Sequence, residues 1–176
     1  MPETSTSRPP DYMAAIAGAR AWRLAPNLWA KMGGHLWSKA LLHVWSDGEE
    51  VVAKCDLGHP APAKRCMCGV YAWYDVDLMQ RNGFAPGDHK TIAGVVAGRG
   101  RVIRGHRGYW VAERAVVLAF FDDGHPAPKT EVLEGSGVYL PTKKSAAEAY
   151  GVPVIKYEDY EDFCDEYGLI RFNGGG

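Results

Sequence analysis

Three of the four cysteines and one histidine crowd into a single stretch, as Cys55, His59, Cys66 and Cys68 in the spacing C-x3-H-x6-C-x-C. Thiolate sulfur and imidazole nitrogen are the donors zinc prefers, four in a tetrahedron, with sulfur at about 2.3 Å and nitrogen at about 2.0–2.1 Å. The four residues meet that need in number and type, so the stretch reads as a zinc site. Four protein ligands close the coordination sphere, which is the pattern of a structural ion that staples a loop. If His59 is only a neighbour, three thiolates and a water make an open site of catalytic type. C-x-C also occurs in redox and copper sites, and the plain alternative is three free thiols beside a turn histidine. Pro60 and Pro62 stiffen the intervening loop and lower the entropy lost on closing it. Cys164 sits in an apolar helical stripe and reads as core.

A second constellation carries positive charge. Arg99, Arg101, Arg104, His106 and Arg107 are interleaved with Gly98, Gly100, Gly105 and Gly108, and Tyr109 and Trp110 follow. Arginine grips phosphate, aromatic rings stack on bases, and glycine lets a backbone approach closely. Arg99, Arg101, Arg104, His106, Arg107 and Tyr109 are therefore the candidate nucleic-acid contacts. A solvated hairpin balanced by acidic residues elsewhere is the plain alternative. A rival of another class is a small enzyme on nucleic acid or nucleotide that uses Glu113 and His106 as an acid/base group. No residue is assigned as catalytic. No phosphate-binding G-x-x-x-x-G-K-[ST], dinucleotide-binding G-x-G-x-x-G after a strand, G-x-S-x-G or H-E-x-x-H string is present.

The net charge of −1 announces no global partner, but it is unevenly spread. Residues 1–110 hold 14 Lys and Arg against 9 Asp and Glu, and residues 111–176 hold 6 against 12, so +5 faces −6. Glu158, Asp159, Glu161, Asp162, Asp165 and Glu166 form the polar face of a terminal helix. The first ten residues have no apolar run and are no signal peptide, and no stretch nears the roughly 20 apolar residues that span a membrane. The expected setting is cytoplasmic, where clustered cysteines serve as metal ligands rather than disulfides.

These groups need elements to hold them. Residues 1–10 read as a disordered leader, 11–170 as one domain and 171–176 as a flexible tail. Asp11 is placed to cap a short helix through Met13–Ala17. Residues 21–24, 50–54, 69–74, 91–97, 102–104, 109–121 and 137–140 read as strands, and 36–45 as strand or helix. Ser46-Asp47-Gly48 and Gly105–Gly108 read as turns. The tryptophans of the first third read as core. Thr142 and Gly151 bracket one C-terminal helix, and Tyr160, Phe163, Cys164 and Tyr167 form one face of another. The fold class is α+β: a small antiparallel sheet or partly open β-barrel with a zinc-stapled loop and two C-terminal helices. Gly58-His59-Pro60-Ala61-Pro62 recurs as Gly124-His125-Pro126-Ala127-Pro128, a chance repeat of a turn-forming string.

Cys55…His59-Pro60-Ala61-Pro62…Cys66-Met67-Cys68-Gly69-Val70-Tyr71-Ala72, with the hairpin Gly94…Gly100…Val102…His106…Gly108-Tyr109…Ala112-Glu113, resembles a family of small uncharacterised actinobacterial and actinophage proteins. Their pattern is C…H-x-A-P…C-x-C-G-[IV]-Y-A, followed by a G-Y-R-A-E hairpin where this chain has Trp110-Val111. The resemblance covers roughly residues 45–155 and implies a phage or actinobacterial origin, the metal site and a cytosolic setting. The function expected is a non-enzymatic zinc-stabilised module that binds nucleic acid or a host protein.

Overall fold

Alternation of small and large side chains, at a period of two, organises the first strand of the fold. The computed structural model describes residues 15–26, 36–38, 44–82, 90–124, 131–133, 135–139 and 141–172. Along the described chain run β1 (Ile16–Leu24), β2 (Leu36–Ser38), β3 (Val44–Trp45), β4 (Val51–Val52), β5 (Val70–Trp73), α1 (Val76–Arg81), β6 (Thr91–Arg104) and β7 (Tyr109–Asp122). After them come β8 (Glu131–Leu133), β9 (Val138–Tyr139), α2 (Lys143–Tyr150), β10 (Val154–Lys156) and α3 (Tyr160–Glu166). The leader over 1–10, the tail from Asn173 and the second Gly-His-Pro-Ala-Pro string from His125 on lie outside these residues. No described helix is long and apolar enough to cross a membrane.

The α+β class holds. Eight strands form one sheet, antiparallel except for β10, which runs parallel to β7; β8 and β9 pair separately. Strand β6 pairs β1 on one edge and β7 on the other. The second edge of β7 takes β5, β4 and β10 in turn. Strand β5 returns to touch β1 through one pair, Ala19 with Trp73. The sheet thus curls back on itself without closing into a barrel.

The helix expected over Met13–Ala17 is corrected, because Ile16 and Ala17 belong to β1, and Met13 and Ala14 lie outside the described residues. Alanine's helix preference is worth at most about 0.7 kcal/mol per residue over ordinary residues. Eight consecutive pairs with β6 outweigh it. Ala15, Ala17, Ala19 and Ala21 lie on one face with Tyr160, Phe163 and Cys164 of α3 and Val76 and Met79 of α1. Trp22 and Leu24 lie on the other face, in a core drawn from β1 to β7 and closed by Ala146, Ala147 and Tyr150 of α2.

Trp110 sits at the centre of that second core with no exposed surface. Its indole Nε1–H donates to the Ala17 carbonyl at 2.8 Å. The ring lies so close over β1 and β6 that a Cβ at Gly18 or Gly98 would come within 2.7 or 2.6 Å of it. Trp45 and Trp22 are equally buried and meet edge to face at 5.3 Å, as core tryptophans do. Arg20 fills the gap that β1 leaves between β2 and β5: its guanidinium donates to the Tyr71 carbonyl and to Ser38 Oγ at 3.0 Å, and lies 4.9 Å over the Trp45 ring. Burial lowers the Arg20 pKa to about 10, which still leaves it charged at neutral pH.

The remaining elements follow their local signals. Thr142 Oγ1 accepts from the Ser145 N–H at 3.0 Å, and Gly151, at φ 65°, ends α2 in the left-handed conformation. Asp75 caps α1 through the Leu78 N–H at 2.7 Å. Tyr160, Phe163 and Cys164 are buried on α3, and Tyr167 stacks on Phe163 at 4.3 Å. Arg171 pairs with Glu161 and Asp165, and Phe172 packs on Tyr74 at 5.2 Å. Adding one methyl group at the crowded centre is expected to be costly. Gly18→Ala should lower unfolding free energy by about 1–3 kcal/mol in urea titration, the usual range for overpacking; an unchanged midpoint would show that Trp110 is loosely held.

Candidate metal centre

Strands β4 and β5 are two parts of one edge. Val52 pairs with Arg114, the Ala53 N–H donates to the Glu113 carbonyl at 2.8 Å, and Val70 pairs with Ala112. The register on β7 runs 114, 113, 112 without a break, so residues 54–69 leave the sheet and re-enter it at the next position. Within that excursion Leu57 and Met67 are 79% and 78% exposed, while Ala61 and Pro62 are buried. Two small buried side chains are too little apolar area to order a loop of this length against its conformational entropy.

What the loop encloses is the cysteine–histidine set. Cys55, His59, Cys66 and Cys68 are all half-buried, and one ligand atom from each lies within 4.8 Å of all the others. Cys55 Sγ stands 3.7 Å from Cys66 Sγ and 3.2 Å from His59 Nε2, and Cys68 Sγ stands 3.9 Å from His59 Nδ1. A tetrahedron with metal–sulfur bonds of about 2.3 Å has an edge of roughly 3.8 Å, so the sulfur pair is spaced as two ligands of one ion. A disulfide needs about 2.05 Å, and all four cysteines are free. These four residues can therefore bind a metal ion.

Local backbone geometry brings them together. Cys55 and Cys66 each sit at a turn, closed by Gly58 N–H to Cys55 O at 3.0 Å and by Cys66 N–H to Ala63 O at 3.2 Å. Arg65 holds the left-handed region at φ 67°, uncommon for a residue with a side chain, and so aims Cys66 back at Cys55. Gly69, at φ 125°, turns the chain into β5, and a Cβ there would lie 2.3 Å from Val111 Cγ1. The Pro60 carbonyl accepts from Arg101 Nη2 at 2.6 Å and lies 3.4 Å from His59 Nδ1. That carbonyl thus links the imidazole to the hairpin, in the way outer partners orient metal-binding histidines. The Cys68 backbone N–H, bonded to the Cys66 sulfur, lowers the Cys66 thiol to about 7, whereas burial pushes Cys68 up. Cys164 lies in the core with no exposed surface, and burial raises its thiol to about 12.

The basic hairpin is less uniform than its sequence. Arg99 is bound to Glu50 through Nε at 2.8 Å and through Nη2, and Glu50 also lies 3.8 Å from Arg114. Arg101 is taken up by Pro60, and its backbone N–H donates to Glu113 Oε2 at 3.1 Å. Arg104 lies 4.2 Å over the Phe172 ring. His106 and Arg107 are exposed at the tip. Tyr109 is half-buried, 5.7 Å from Tyr71 and 6.1 Å from Trp73. Glu113 stands four residues along β7 from Tyr109, about 13 Å at 3.3 Å per residue, so the fold does not bring it to His106. Sequence reasoning missed Glu50, Arg20 and Tyr71, whose partners are distant in the chain.

No protein-family model, curated protein or solved structure matches this chain. Because both roots of the loop are held by β7 whether or not an ion is bound, loss of a bound ion should act locally. Chelation, or Cys66→Ser, is expected to raise amide hydrogen exchange across 54–69 while β6 and β7 stay protected; global loss of protection would show that the sheet itself depends on the ion.

Proposed function

We propose that this chain is a non-enzymatic binding module whose loop 54–69 is stapled by one structural zinc ion and whose basic hairpin tip contacts nucleic acid. The observation that carries the metal half is the convergence of three thiols and an imidazole within 4.8 Å. Magnesium and calcium take oxygen ligands, whereas this donor set is one of the standard structural zinc sets. The ion's contribution is to order the inside of a loop that has almost no core of its own. Three clustered reduced thiols fit a reducing cytosol.

The nucleic-acid half rests on the tip. Arg107 is exposed and has no carboxylate partner among the described residues, unlike Arg99, which is neutralised by Glu50. The enzyme reading gains no support, since the Glu113 carboxylate is occupied by the Arg101 N–H and lies 3.9 Å from Arg114. Elemental analysis is expected to give one zinc per chain, and protein that folds fully with no metal would refute the staple. Binding of labelled oligonucleotides should weaken steeply as salt rises. Arg107→Ala should reduce the log–log salt slope by about 1, while Arg99→Ala should act mainly on stability. Absence of binding at low salt would remove the nucleic-acid reading.

A further inference from the structure

The four metal-binding residues stand outside both cores of the fold. Neither buried cluster includes Cys55, His59, Cys66 or Cys68, and all four are half-buried. Their neighbours in the chain are open to solvent: Lys54 and Asp56 flank Cys55, Arg65 and Met67 flank Cys66, and all four flanking residues are exposed. Cys164 is the contrast, with no exposed surface among the side chains that α3 packs on β1. A small polar oxidant in water can therefore reach the three thiols of the loop and is kept from the fourth.

Within the loop, one pair of sulfurs is already close. Cys55 Sγ and Cys66 Sγ are 3.7 Å apart. A disulfide needs about 2.05 Å, so the two must approach by about 1.7 Å, a shift on the scale of side-chain rotation. Cys66 and Cys68, by contrast, are separated by Met67 alone, a spacing at which the Cα separation and the S–S dihedral of a disulfide are hard to satisfy together. The Ala53 N–H and the pairing of Val70 with Ala112 hold both roots of the loop on β7. Exchange of one staple for another inside the loop thus leaves the frame in place.

We infer that Cys55 and Cys66 are a disulfide-forming pair, a modification site at which hydrogen peroxide replaces the zinc staple by a covalent one and expels the ion. The inference rests on the zinc reading above and adds a control to it. One thiolate of the pair attacks peroxide: a sulfur–oxygen bond forms as the oxygen–oxygen bond breaks, which leaves a sulfenic acid and a hydroxide that takes a proton to become water. The second thiolate attacks that sulfur, the S–S bond forms, and the departing hydroxide becomes a second water. Peroxide gains two electrons, the thiolate pair loses two, and the metal keeps its charge. His59 and Cys68 alone remain, two ligands where zinc takes four.

The zinc-loaded full chain, treated with hydrogen peroxide beside a chromophoric zinc chelator and then peptide-mapped without reduction, tests this. Release of one zinc per chain over an untreated sample is expected, together with a peptide pair joined through Cys55 and Cys66 and an unmodified Cys164. Dithiothreitol and zinc should restore the starting metal content, and β6 and β7 should keep their hydrogen-exchange protection throughout. Met67→Leu removes an exposed thioether that peroxide also oxidises, and should release zinc as the unaltered chain does. Zinc retained under peroxide, zinc released as fast without it, or zinc lost with the sulfurs carried on to sulfinic acid or paired otherwise, overturns the disulfide pair but leaves the staple standing. Protein that folds fully and carries no zinc at the outset overturns both.

Discussion

Backbone hydrogen bonding along β7 is the constraint on which the rest of the molecule hangs, because this one strand is shared by four others. Strand β6 occupies one edge for most of its length, while β5, β4 and β10 divide the second edge among them. The unbroken 114, 113, 112 register places the two roots of the metal loop side by side before any ligand bond is made. Loop-closure entropy is thereby met by the sheet. An ion bound by the four residues would have only to order the inside of the excursion.

The same strand supplies the interior. Trp110 projects into the curl from β7, and its size is accommodated by glycines on both β1 and β6. A large ring over two bare backbones packs three strands at once, and its N–H is satisfied by a carbonyl of β1. Arg20 plays a related part at the weak seam where β1 changes partner from β2 to β5. Its charge remains because two acceptors and the face of Trp45 replace part of the water it loses.

Charge on the hairpin is divided between structure and surface. Arg99 and Arg101 face Glu50 and the Pro60 carbonyl, and so tie the hairpin to β4 and to the metal loop. Arg107 faces solvent. A run of arginines at short spacing thus holds two populations, and the difference arises from the bulge between Arg99 and Val102, where Gly100 takes φ 73°. The bulge turns the Arg101 N–H toward Glu113, away from the ladder.

Much of the site was legible in the chain alone, since metal ligation depends on donor type and on spacings that a short loop can close. Cys55, His59, Cys66 and Cys68 needed no distant partner to be recognised. The Gly105–Gly108 turn, the Thr142 and Gly151 caps and the Tyr160–Cys164 stripe were legible for the same reason: each is a contact over a few residues. The fate of Ile16 and Ala17 was not, because the alanine-rich run suits a helix locally and only pairing with β6 makes it a strand. Nor was the division of the arginines, the return of the metal loop to its point of departure, or the alignment of Tyr71 with Tyr109. Those are set by strand register between segments tens of residues apart, a cooperative quantity that no local spacing encodes.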